Sequence, residues 1–104
     1  MIPQPEPTPA ASPYILIITA RYFEAAVAPA LRKRFEQCIA HGSGDVRVDL
    51  SLVDFIDSAG IGALTSFYRR LAEQGRRMEL LGLRGQPLKL IQLFHVDRTI
   101  ACRI

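Results

Sequence analysis

The sequence predicts an α/β fold: one small domain with a mixed, mostly parallel sheet and helices packed against it. Three observations predict this. Short apolar runs rich in β-branched residues recur along the chain, as in YILIITA, VRVDL and TIACRI. Between them lie stretches whose apolar residues return every three or four positions. The connections are only a few residues long. Strands alternating with helices through short links build βαβ units. With 104 residues the chain is long enough for one domain and one core.

Residues 1–13 (MIPQPEPTPAASP) hold five of the seven prolines. Proline fixes its own φ and lacks an N–H, so this segment reads as an extended, flexible N-terminal arm, a spacer ahead of a domain at 14–104. Tyr14 to Ala20 reads as the first strand. Ala25 to His41 reads as a helix with Val27, Leu31, Phe35 and Cys38 on its apolar face, and with Pro29 in the first turn where its missing N–H costs nothing. Gly42 to Asp45 ends it, and Val46 to Leu50 is the second strand.

Ser51 to Asp57 reads as a connection, and Ser58 opens a second helix whose buried stripe is Ile61, Leu64, Tyr68 and Leu71, with Phe67 alongside. Gly75 suits the left-handed position after that helix. Arg77 to Gly82 is the third strand. Pro87 starts a third helix with Leu90, Ile91 and Phe94 inward, and Thr99 to Ile104 is the last strand, with Ile100, Cys102 and Ile104 on one side. The predicted order is β-α-β-α-β-α-β.

Composition narrows the function classes. Hydrophobic residues make up 49% and charged residues 22%, which is ordinary for a globular domain. The net charge is +3, and the basic residues come in short groups (Arg32-Lys33-Arg34, Arg69-Arg70, Arg76-Arg77) that read as solvated helix faces and strand ends. A nucleic-acid footprint needs a denser patch with interleaved aromatics. Cys38 and Cys102 have no metal-binding spacing and read as buried thiols of a reducing cytosol. No apolar run approaches the ~20 residues of a membrane span, and no basic region followed by an apolar stretch marks a signal peptide. A cytoplasmic protein without cofactor, metal or membrane contact is expected.

One segment stands out: Asp54-Phe55-Ile56-Asp57-Ser58-Ala59-Gly60-Ile61-Gly62. Two acids flank an apolar pair, and a serine meets small residues as a helix begins. Ser58 fits as N-cap or just inside the first turn, where free N–H groups and the helix dipole favour an anion. Gly60 and Gly62 remove bulk around the serine and open its hydroxyl to another protein. Taken alone, the residues favour a plainer reading, tight packing of a helix on a sheet.

VRVDLSLVDFIDSAGIGAL resembles the signature of the STAS family, the domain shared by sulfate transporters and bacterial anti-sigma-factor antagonists. The Asp-Ser-(Ser/Ala/Thr)-Gly-(Leu/Ile)-Gly pattern is carried by Asp57, Ser58, Ala59, Gly60, Ile61 and Gly62. Ala25 to Arg32, Arg77 to Gly82 and Leu88 to Phe94 resemble the flanking helix, strand and helix of the family, so the resemblance spans most of 14–104. The family's Gly-x-Leu-Asp turn before the first helix is Arg21-Tyr22-Phe23-Glu24 here, with Glu24 in place of the acid. The opening hairpin is expected to be truncated and no last helix is expected.

The resemblance implies an anti-sigma factor antagonist. Its unphosphorylated form would bind an anti-sigma factor that is also a serine kinase of the histidine-kinase-like ATPase class, and so release the sigma factor. Phosphate on Ser58 would switch binding off, and a serine phosphatase would reset it. The implied partner-binding residues are Glu24, Asp54, Asp57, Ser58, Ala59, Gly60, Ile61 and Gly62. The alternative is a non-signalling STAS subunit of a lipid-transport ATPase complex. A serine-nucleophile enzyme is the weaker rival. Only His41 and His95 could serve as base, each near a helix end, and the G-x-S-x-G elbow is absent because Ile56 occupies its first position.

The switch has a physical basis apart from the resemblance. Phosphoserine carries about −1.5 to −2 charges at pH 7, which a helix N-terminus tolerates. An interface closed over it does not, and Asp54 and Asp57 are expected to add like-charge repulsion.

Overall fold

The structure is a computed structural model and describes residues 13–103. The proline-rich stretch up to residue 12 and Ile104 lie outside the described residues. The elements are β1 (Tyr14–Ile17), β2 (Tyr22–Phe23), α1 (Ala28–His41), β3 (Val46–Asp49), β4 (Phe55–Ile56), α2 (Ser58–Glu73), β5 (Met78–Leu81), α3 (Gly85–Leu93), a 3-10 turn (Val96–Arg98) and β6 (Ala101–Arg103).

Strands β1, β3, β5 and β6 form one sheet in that order, every pair parallel. Each crossover steps one position in the same direction. Right-handed crossovers then place their helices on one face. The register shows which face. Leu16, Val48, Leu80 and Cys102 run across the sheet in one row, and Val46 and Met78 lie in the next. Of these all but Cys102 are buried, against Leu31, Phe35 and Ile39 of α1 and Leu64, Phe67 and Leu71 of α2. Phe35 stacks on Phe67 with ring centroids 4.3 Å apart, which fixes α1 against α2. Arg70 of α2 and Glu36 of α1 form an ion pair over that seam.

The opposite face carries no helix among the described residues. It carries Ile15 and Ile17 of β1, exposed, and a charge ladder in which Glu79 lies between Arg47 and Arg103, with N···O distances of 3.6 and 2.9 Å. Parallel sheets are usually covered on both faces. Here ion pairs occupy the middle strands of the uncovered side.

The predicted element order holds, and six local expectations are corrected. The sheet is wholly parallel rather than mixed among the described residues. Two short strands were not expected: β2 pairs with β4, Tyr22 opposite Phe55 and Phe23 opposite Ile56, so part of the Ser51–Asp57 connection is strand. The apolar face of α1 is Ala28, Leu31, Phe35 and Ile39, while Val27 and Cys38 are half-buried at its margin. Phe94 does not face inward. Helix α3 stops at Leu93, His95 turns the chain through a left-handed conformation (φ 58°), and Phe94 is left 51% exposed while Pro87 and Ile91 fill the core positions. The last strand starts later than read, at Ala101, because the Thr99 and Ile100 N–H groups bond back to the Val96 carbonyl of the 3-10 turn.

The sixth correction concerns Arg76, read as a solvated charge. It is buried, 5% exposed. Its Nε donates to the Gly44 carbonyl at 2.7 Å, and its Nη1 reaches the Cys38 and Ile39 carbonyls at the end of α1 and Gln74 Oε1. The last carbonyls of a helix lack intrahelical partners; the Gly42 N–H also reaches the Cys38 carbonyl, and this guanidinium supplies the donor for Ile39.

Candidate functional site

The segment singled out in the sequence lies beyond the carboxyl end of β3, where β4 hands over to α2. Both glycine and acid roles are set by tight local geometry. Asp57, not Ser58, is the N-cap of α2: its backbone is extended (φ −110°, ψ −175°), and its Oδ1 accepts from Gly60 N–H at 2.9 Å. Its Oδ2 accepts from Ala25 N–H at 3.1 Å. One carboxylate therefore ties the first turn of α2 to the turn that leads into α1. The Gly60 N–H bond, chiefly, with those from other backbone amides, holds the Asp57 carboxyl below the usual carboxylate range.

Because Asp57 takes the cap, Ser58 is left as the first helical residue. It is exposed, and its hydroxyl bonds to no described residue. The two other hydroxyls on α2 differ. Thr65 Oγ1 donates within the helix, to the Ile61 and Gly62 carbonyls at 3.1 Å, and Ser66 is half-buried.

Asp54 is held by two arginines. Its Oδ2 accepts from Arg21 Nε and Nη2 at 3.0 and 2.9 Å, and its Oδ1 from Arg84 Nη2 at 3.0 Å. The Arg21 bonds first, then Arg84, lower its carboxyl against the opposing effect of desolvation. Arg84 also donates to the Ser51 carbonyl. This corrects the expectation that Asp54 adds repulsion near Ser58: its charge is matched by two guanidinium groups, and Asp57 is the acid left beside the serine. Arg21 replaces the glycine of the family turn without strain, since its φ is not positive. Its carbonyl accepts from the N–H groups of Asp54 and Phe55.

The two motif glycines do different work. A Cβ on Gly60 would stand 2.5 Å from the Phe23 carbonyl oxygen and 2.6 Å from Ile56 Cγ1. Gly60 and Ile61 are buried, so they seat the helix on β2 and β4 rather than face a partner. That corrects the expectation that both glycines clear space over the serine. At Gly62 a Cβ would meet only Arg32 Nη2, at 3.8 Å, so this position has room. Ala59 and Gly62 are half-exposed, as is Glu24, whose carbonyl accepts from Val27 and Ala28 N–H at the start of α1.

Sequence reasoning missed Arg21, Arg84, Gln86 and the paired aromatics. Gln86, at the start of α3, donates to the Ile56 carbonyl and accepts from the Ile56 N–H at 2.8 and 2.9 Å, as a neighbouring strand would. Tyr22 and Phe55, opposite each other in the ladder, are 56% and 38% exposed, and Leu52 is 50% exposed close in sequence. The Tyr22-Phe23 and Phe55-Ile56 dipeptides were the available signal, too short to show a period. His41 ends α1 beside the amino end of β3, while Ser58 follows the carboxyl end of that strand, so the sheet separates this histidine from the serine.

The site is thus a parallel α/β unit in which an acid-capped helix presents a serine with no hydrogen-bond partner among the described residues. The family model described as "Mlab, STAS domain" matches residues 22–102, and the chain belongs to that family. No curated protein sequence matches it. Among solved structures it is similar to a candidate anti-sigma factor antagonist from Thermotoga maritima, with a TM-score of 0.76 at 19% identity over 85% of this chain and 77% of that one. A sulfate transporter family protein from Wolinella succinogenes gives 0.72 at 20%, over 85% and 70%. The anti-sigma factor antagonist SpoIIAA in its unphosphorylated form gives 0.57 at 16%, over 83% and 84%. At these identities the likeness is one of fold.

Proposed function

We propose that this STAS domain is a non-catalytic anti-sigma factor antagonist switched by phosphate on Ser58. The observation that carries the reading is the Ser58 hydroxyl. It is exposed, with no hydrogen-bond partner among the described residues, at the first position of α2, where Asp57 has taken the capping role. In the unphosphorylated state the surface formed by Ser58, Ala59 and Gly62, flanked by Glu24, Asp54 and Asp57, binds the anti-sigma factor and frees its sigma factor. The partner is a serine kinase of the histidine-kinase-like ATPase class, and a serine phosphatase restores the binding form. Exposed Tyr22 and Phe55 give this surface an apolar flank. The likeness to anti-sigma factor antagonists supports the kind of protein. None of the helices among the described residues is long and apolar enough to cross a membrane, in keeping with a cytoplasmic regulator.

The test is to incubate the protein with such a partner and ATP-Mg, then map the modification by intact mass and peptide sequencing. One phosphate on Ser58, absent from Ser58→Ala, is expected. Label on Thr65 or Ser66 with none on Ser58 overturns the assignment.

The likeness to a sulfate transporter family protein favours a second reading, a transport-associated STAS module, the form that fits being a fixed subunit of a lipid-transport ATPase complex. In that case the partner binds wild type and Ser58→Ala equally and ATP-Mg adds no phosphate.

A further inference from the structure

The amino ends of the strands hold a second feature, on the far side of the sheet from Ser58. A cleft of about 530 Å³ opens between the start of β1, the last turns of α1 and the Gly42-Ser43-Gly44 loop. That volume lies in the range of small-molecule sites. Arg34, Arg76 and His41 line it, with no Asp or Glu among the described lining residues. Another cleft of similar size, about 550 Å³, is lined by Asp45 and Glu79 as well as by arginines.

The cationic side chains are not spent. Arg76 is only 5% exposed, yet no carboxylate pairs with it among the described residues. A buried charge is normally paired. Carbonyls take its Nε and Nη1, which also offsets the negative end of α1. Its Nη2 has no acceptor there and faces Gly42, where a Cβ would stand 2.6 Å away. Arg34 gives one Nη1 bond to the Ile17 carbonyl and keeps its other donors. The Ser43 and Gly44 N–H groups reach no acceptor among the described residues. Tyr14, more than half exposed, and Leu16 supply an apolar wall.

We propose that this cleft binds a small phosphate monoester with an apolar body. Arg34 and Arg76 grip its oxygens, the loop N–H groups complete the cradle, and the body lies against Tyr14 and Leu16. Planar guanidinium groups suit the fork geometry of phosphate, and two of them match a dianion. The site is independent of the Ser58 switch, since no residue is shared.

The experiment is an NMR titration of the full-length, isotopically labelled chain with phenyl phosphate, inorganic phosphate and benzyl alcohol in parallel. Phenyl phosphate is expected to shift the amides of Tyr14, Ser43 and Gly44, and to bind at least about tenfold more tightly than either fragment. Arg34→Gln, a surface change, should weaken it about tenfold, the loss of one charge-assisted pair, and Arg69→Gln on the outer face of α2 should not. Shifts centred on Ser58 to Gly60, shifts scattered over the basic surface, or equal affinity in Arg34→Gln each overturn the proposal. The wild-type shift map stands without any variant.

Discussion

Gly60 and Gly62 sit two residues apart in one helix, and replacing each with alanine should change stability in opposite directions. At Gly60 the new methyl would lie 2.5 Å from the Phe23 carbonyl oxygen and 2.6 Å from Ile56 Cγ1. The first neighbour is backbone, held in the β2–β4 ladder, and cannot swing away. Helix α2 must lift from the strands, which stretches the cap bond from Gly60 N–H to Asp57. Overpacking of this kind costs about 1–3 kcal/mol. Alanine returns up to ~1 kcal/mol of helix propensity over glycine, less in a first turn. The net is a loss of about 1–2 kcal/mol, or roughly 4–16 °C in melting temperature for a domain of this size. At Gly62 the same methyl meets only the mobile end of Arg32 at 3.8 Å, so the propensity gain of about 0.5–1 kcal/mol stands alone. Urea and thermal unfolding of the full-length chain, read by far-UV circular dichroism, measure both. Gly60→Ala matching or exceeding Gly62→Ala in stability would refute the packing role, and would restore the view that both glycines clear space over Ser58.

Three further outcomes are expected. Ser58→Asp should leave unfolding free energy within ~0.5 kcal/mol of wild type, because residue 58 is exposed and is not the cap; its affinity for the proposed anti-sigma partner, measured by calorimetry, should fall at least about tenfold, since under that proposal a carboxylate would be desolvated at the interface without a counter-charge. Asp54 and Asp57 have native carboxyl values below the ordinary 3.8, so the stability they contribute is complete above that value and is lost as pH falls through it toward the native values; in acid titrations followed by circular dichroism, Asp57→Asn should flatten that limb, and an unchanged limb would count against the two-armed bond to Gly60 and Ala25. Arg76→Leu should cost about 2–3 kcal/mol in urea unfolding by stranding the carbonyls of Ile39 and Gly44, whereas Arg77→Leu, exposed next to it, should stay near neutral.

The candidate site was legible in part. Ser58 at a helix start follows from local chemistry: an acid and a serine before small residues and an apolar stripe. Which of the two would cap did not follow, because both residue types cap well. The choice is made by Ala25, which lies 32 residues earlier in the chain and donates to the other oxygen of Asp57. The same holds for Asp54, whose partners Arg21 and Arg84 are 33 and 30 residues away on either side. A charge has no periodicity by which such a pairing can be read.

By itself the sequence determined the order of strands and helices, the turns between them and the position of the serine. These rest on interactions within a few residues: hydrophobic period, proline and glycine backbone preferences, and the spacing of small residues after Asp57. Tertiary structure alone decided the rest. Two strands of two residues each are stable only because they find each other and Gln86. Arg76 reads as a surface charge until the end of α1 and the Gly44 carbonyl close around it. Gly60 reads as open space until Phe23 and Ile56 fill it. In each case the deciding contact joins segments distant in sequence, and its strength depends on a distance that only the folded chain sets.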